Sequence, residues 1–112
     1  MEEKERILKE NLNEYFESAE QAFENKKYNS AVTLFFKAII SATDLLILKK
    51  ESFAPSSHND RFRLVQEKYP EIYDILDKDF PFYQDSYTKK MNKEAVEVLR
   101  EDAQRVKKIS EA

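Results

Sequence analysis

A single histidine, His58, and the absence of cysteine narrow the chemistry that this chain can perform. Any site must use one imidazole, or else hydroxyl, amine, amide and carboxylate groups. His58 lies in the segment Ser57-His58-Asn59-Asp60-Arg61-Phe62-Arg63, between polar residues and close to two arginines. Imidazole changes charge near neutral pH, so His58 could serve as general acid or base while Arg61 and Arg63 hold a phosphate. Its expected place at the start of a helix favours a bound anion and disfavours the imidazolium form. The competing reading is an exposed polar residue that marks a turn. No paired base accompanies His58, so the sequence assigns no committed catalytic residue, and His58, Arg61 and Tyr87 are the candidates.

Two further groups could form contacts with RNA or a protein partner. Ser30, Thr33, Lys37, Ser41 and Asp44 share a narrow arc of one expected helix, and Lys37 and Asp44, seven apart, could bracket a ligand. The alternative is a solvated edge on an otherwise buried helix. Tyr83, Gln84, Tyr87, Lys89, Lys90 and Lys93 mix aromatic, amide and basic groups in one segment, the combination that holds single-stranded RNA by stacking and charge. Its alternative is packed tyrosines beside solvated lysines.

Bulk composition limits the remaining classes. A chain of 112 residues with 41% apolar content suits one helical domain with a core of its own. Basic and acidic residues number 19 and 22, giving a net charge of −3, which argues against nucleic-acid binding over the whole surface. Without cysteine there is no disulfide, thiolate catalysis or cysteine-held metal. A ferritin-like metal site would need Glu-x-x-His on inward faces, and the sequence has none, so neither metal nor cofactor is expected. The charged start, Met1-Glu2-Glu3-Lys4-Glu5-Arg6, is unlike a secretory signal. The longest apolar run, from Ala38 to Leu48, contains Asp44 and is short for a membrane span. A cytoplasmic location without membrane association is expected.

The chain contains no glycine, which removes phosphate-binding glycine loops and suits helices. Leu8, Leu12, Tyr15, Phe16, Ala19 and Phe23 form one apolar stripe and predict a helix over residues 3–24, with Asn25 available for the left-handed position after it. A second helix over residues 29–50 is apolar on most sides. Such a helix needs cover, either from its own chain or from a homodimer or other partner. Ser57 and Asp60 predict a capped third helix with Phe62, Val65 and Tyr69 inward. Pro70 opens a short helix over residues 71–78, Pro81 breaks the pattern, and a last helix starts near Asn92 with Ala95, Val96, Leu99, Ala103, Val106 and Ile109 inward. No segment alternates with a period of two, so the prediction is an all-α, up-and-down bundle of four to five helices.

The pattern from Ala19, Ala22 and Phe23 through Tyr28, Ala31, Phe35, Ala38 and Ile39 resembles one tetratricopeptide unit. A solenoid needs several copies, so this pattern supports a helical hairpin, with an adaptor of that kind as a lesser alternative. Across nearly its whole length the chain resembles the HEPN domain family. The matching residues are Tyr28-x-x-Ala31-Val32-x-x-x-Phe36-x-Ala38-Ile39, then Pro55-Ser56-Ser57-His58, then Phe82-Tyr83-Gln84-Asp85-Ser86-Tyr87. Ser57-His58-Asn59-Asp60-Arg61-Phe62, followed by Tyr69-Pro70-Glu71-Ile72-Tyr73, is similar to small stand-alone archaeal and bacterial members.

The resemblance implies a dimerising helical bundle. Many HEPN proteins are metal-independent ribonucleases, and many are toxins paired with a minimal nucleotidyltransferase antitoxin. Their ribonuclease motif is an arginine followed, after four to six residues, by a histidine. Here no arginine precedes His58 at that spacing, and Gln84 stands where many relatives have an arginine before the tyrosine matching Tyr87. The resemblance therefore implies an interaction module, a homodimer partnered by a minimal nucleotidyltransferase in a toxin–antitoxin-type pair. The alternative is a divergent ribonuclease or RNA-binding toxin, and tyrosine modification by the partner is a further implication.

Overall fold

The computed structural model describes residues 2–112, which form five helices: α1 Glu2–Glu24, α2 Tyr28–Glu51, α3 His58–Lys68, α4 Pro70–Asp85 and α5 Lys93–Glu111. Helix α2 is the axis of the bundle. Ala31, Val32, Phe35, Ala38, Ile39, Ala42, Leu45 and Ile47 are all fully buried along it, covered by α1, α4 and α5. Hydrogen bonds between distant residues fix the directions. Asn29 of α2 meets Met91, just before α5, while Lys49 Nζ donates to the Ser110 carbonyl at the other end, so α2 and α5 run parallel. Helix α4 runs the opposite way, with Ser86 at its end beside Thr33 and Tyr69 before its start beside Glu51. The path is therefore up-and-down, with α3 as a short insert at the top of α2.

The cover on α2 comes from its own chain. The apolar surface that raised the expectation of a dimer is occupied by α1, α4 and α5, which bury it as a partner would. By length and composition α2 is also long and apolar enough to cross a membrane, which the sequence reading of a shorter run had not recognised. In this fold that apolarity reflects contact on several sides, since most of the helix is buried.

Three local features differ from the sequence expectation. The left-handed residue after α1 is Lys26 (φ 58°), one place beyond Asn25. The Lys27 amide donates to the Ala22 carbonyl and the Lys26 amide to that of Phe23, a pairing that requires the left-handed turn at Lys26. The fourth helix does not stop at residue 78. It continues through Pro81 to Asp85, because Phe80 and Tyr83 are held on Phe36, with ring centroids 5.9 Å and 4.8 Å away, while Pro81 itself faces solvent. That packing offsets the backbone hydrogen bond that proline cannot make. At α3, Ser57 Oγ accepts the Asp60 amide as expected, but the Asp60 carboxylate turns to the Ser56 hydroxyl instead of back to the cap.

The long connection from α4 to α5 is pinned by one amide. Asn29 Nδ2 donates to the carbonyls of Ser86 and Lys89 at 2.8 Å and 2.6 Å, and Asn29 Oδ1 accepts the Met91 amide at 3.0 Å. Asn92 then caps α5 by accepting the Ala95 amide.

Lys26 and Ser52 (φ 68°) both hold left-handed backbone without glycine. Replacing either, as Lys26→Gly or Ser52→Gly, is expected to stabilise the fold by about 1 kcal/mol by removing the Cβ clash. Urea denaturation with unchanged helical circular dichroism checks this.

Candidate functional site

Lys37, His58 and Tyr83 converge beside a buried ion pair between Asp44 of α2 and Arg61 of α3. Asp44 is a carboxylate in the most apolar helix of the chain, and burying it unpaired would be costly. Arg61 meets it from α3 in a two-pronged contact, Nε to Oδ1 at 2.7 Å and Nη2 to Oδ2 at 2.8 Å. Both residues are almost sealed, at 7% exposure for Arg61 and 8% for Asp44. The remaining guanidinium nitrogen, Nη1, lies 2.9 Å from His58 Nδ1.

That last contact fixes the state of the histidine. A guanidinium only donates, so His58 Nδ1 must accept, and the ring proton sits on Nε2. Protonating Nδ1 would set two donors against each other. The His58 pKa is accordingly held below its ordinary value, first by partial desolvation, then by the positive charges of Arg61 and Lys37, against an opposing pull from Asp44. The ring also rests on Phe80, with centroids 5.9 Å apart. His58 thus presents a neutral N–H to the outside, and the lone pair that a general base would use is occupied.

A cleft of about 360 Å³ opens in front of this relay. Phe36, Lys37, Ile40 and Ser41 of α2 form its floor, Ser56, Ser57, His58 and Arg61 one wall, Tyr83 of α4 another, and Asn11 and Tyr15 of α1 the rim. Lys37 has no ion-pair partner among the described residues. Tyr83 stacks on Phe36, and its hydroxyl pairs with that of Tyr87 at 2.9 Å. This hydrogen bond, aided by burial, pushes the Tyr83 phenol up to about 12, so it stays protonated. The cleft therefore offers one ammonium, one imidazole N–H, hydroxyl groups and an aromatic wall. It can bind an anionic group carried on a flat or apolar body; it lacks an activated nucleophile or base.

The polar arc of α2 is solvated only at its start, where Ser30 is exposed. Asp44 and Ser41 are buried, Thr33 shares a hydrogen bond with Ser86, and Lys37 faces the cleft. Lys37 and Asp44 do not bracket a ligand between them, because Asp44 is taken by Arg61. The other candidates lie elsewhere. Arg63 is exposed and paired with Asp60, Gln84 is exposed, and Tyr87, 69% exposed, touches the cleft only through Tyr83. Lys89 pairs with Asp85, while Lys90 lines a separate depression with Lys26, Lys27 and Asn29. Tyr15 was missed as a cleft residue, since its place in the apolar stripe of α1 marked it only as core. Among the described residues, no three histidine, aspartate or glutamate side chains come together as a metal would require.

Removing one partner of the buried pair should be far worse than removing both. Asp44→Ala leaves the Arg61 charge buried and is expected to cost about 3–5 kcal/mol in urea denaturation, whereas the double replacement Asp44→Leu with Arg61→Met recovers most of it. The histidine gives a pH signature. Its folded pKa lies below the ordinary 6.5, so its stabilising contribution is complete above 6.5 and is lost as pH falls through the folded value. An NMR titration of the ring should show a midpoint below 6.5, moving upward in Lys37→Gln, which removes one of the depressing charges.

Beyond the chain's own residues, comparison adds no relative: no family model, curated protein or solved structure matches it.

Proposed function

We propose that this chain is a small HEPN-like interaction module that binds through the α2–α3–α4 cleft and does not cleave RNA there. The observation that carries the proposal is the three-sided commitment of Arg61 to Asp44 and His58. Metal-independent cleavage needs a guanidinium free to meet a phosphate and an imidazole free to move a proton. Here the arginine of the cleft is held by Asp44 and His58, and Arg63 is turned away to Asp60. Arg61 and His58 serve instead as a rigid wall beside Lys37 and Tyr83, which are oriented to receive an anionic, partly aromatic surface. The kind of partner, a minimal nucleotidyltransferase in a toxin–antitoxin-type pair, comes from the resemblance to HEPN proteins. Self-association within such a pair would use exposed apolar side chains such as Ile7 and Phe53, because most of the apolar surface of α2 is covered by its own chain.

A second reading, RNA binding without cleavage, is favoured by the opposite end of the molecule. The Asn29 clamp sets Lys90 beside Lys26 and Lys27, three lysines from two distant segments around one depression. Charge of this kind binds phosphate backbones with a strong dependence on salt.

Purified protein incubated with RNA is expected to leave it intact, and a co-expressed minimal nucleotidyltransferase encoded beside it should bind. Lys37→Glu should weaken that binding at least about tenfold, roughly 1.4 kcal/mol. RNA cleavage lost in His58→Ala or Arg61→Ala would overturn the interaction-module reading in favour of a ribonuclease. Salt-sensitive RNA binding that survives Lys37→Glu but fails in a Lys26/Lys27/Lys90 charge reversal would establish the second reading instead.

A further inference from the structure

Asp79 is a carboxylate in the wrong place for one. Among the described residues it is the acidic side chain with no exposure at all (0%), and neither of its oxygens receives a hydrogen bond. It projects from α4 toward α5, within hydrogen-bond reach of Asp102, itself only 9% exposed. The neighbouring cation is Lys78, whose Nζ lies 2.9 Å from Asp102 Oδ2 and 4.0 Å from Asp79 Oδ1. Lys78 is mostly in solvent, so it meets Asp102 from the solvent side and leaves both oxygens of Asp79 without a hydrogen bond. Glu101 of α5 is the other charge acting on Lys78, and no charged group of α2 or α3 acts on Asp79.

Two ionised carboxylates in contact, with one water-screened ammonium beside them, leave an uncompensated buried charge. One proton resolves the conflict. It turns mutual repulsion into a charge-assisted O–H···O⁻ hydrogen bond, which is short and strong. Lys78 already holds the position beside Asp102 that a bound cation would take, and no third carboxylate or histidine completes a metal site.

We propose that Asp79 keeps a proton in the native protein and shares it with Asp102 in an O–H···O⁻ hydrogen bond, so that the pair is a proton-operated latch between α4 and α5. When the proton leaves for solvent, both groups become carboxylates and the latch turns repulsive. Burial is the main cause that raises Asp79, with the hydrogen bond to Asp102 and its charge next and Lys78 opposing; together they push it up to about 9. The folded value stands above the ordinary 3.8, so the native state holds more protons than the unfolded chain between those limits. Stability therefore falls as pH rises through this window. The effect reaches the cleft, because Asp79 stands one helical turn before Tyr83, the cleft wall that stacks on Phe36.

Side-chain carboxyl NMR of the full chain from about pH 4 to about pH 10 tests the latch directly. Asp79 should remain protonated at neutral pH and titrate on the alkaline side. Asp79→Asn keeps a hydrogen-bond donor toward Asp102 without a titrating group. Its melting temperature should exceed that of the wild type by a margin that grows with pH, reaching several degrees at alkaline pH. An Asp79 carboxyl already ionised in slightly acidic solution would overturn the proposal, as would wild type and Asp79→Asn losing stability in parallel on the alkaline side. The carboxyl titration, made on the wild-type chain, decides the matter should Asp79→Asn not fold.

Discussion

The fold turns on one carboxylate that the central helix cannot leave unpaired. Asp44 lies in the stretch of α2 that would otherwise read as continuous core, and Arg61 is the group that answers it. The contact need not add net stability, since well-packed apolar side chains of similar volume often do as well as a buried ion pair. What it does is decide position. It places α3 at one level on α2, sends the third guanidinium nitrogen to His58, and thereby sets the tautomer and charge of the only imidazole. The cleft in front of it takes its shape from that single docking event.

The rest of the bundle follows a similar logic, with polar groups specifying where apolar surfaces meet. Thr33 and Ser86 join hydroxyls at the far end of α4, and the Asn29 amide holds the connection to α5 by three hydrogen bonds. Apolar packing alone would tolerate small slides of α4 along α2; these contacts do not. Phe36, Phe80 and Tyr83 then stack in a fixed register, which allows α4 to carry Pro81 without breaking.

Helix positions and inward faces were legible in the sequence because periodicity reports burial directly. The stripes of α1 and α5, the Ser57 cap, the start of the last helix near Asn92 and the all-helical class all appear in the structure as read. Local rules failed where tertiary contact outweighed them. Pro81 marked an end that aromatic packing overrode, and Asn25 yielded the left-handed position to Lys26 because the paired amides select the register of the turn. The site was legible only in pieces. Lys37, His58 and Tyr83 were each singled out, but their shared cleft depends on how three helices cross. One inference was available and not drawn: an aspartate amid Leu45, Leu46 and Ile47 demands a cation, and Arg61 stood within the next helix. Asp79 gave no such sign, since Asp77-Lys78-Asp79 reads as a solvated charged run.

The parallel pairing of α2 with α5 also sets an order of assembly. The α1–α2 hairpin closes over a connection of a few residues, so it forms at small loop-closure cost. The flank of α2 that α5 covers must wait until α3, α4 and their connections have been made. During synthesis, then, a helix with the composition of a membrane span stands half-clothed, with its last cover still to come. Asp44 interrupts that bare face with a charge, which makes the same residue that organises the finished fold a guard against misdirected association before it is finished.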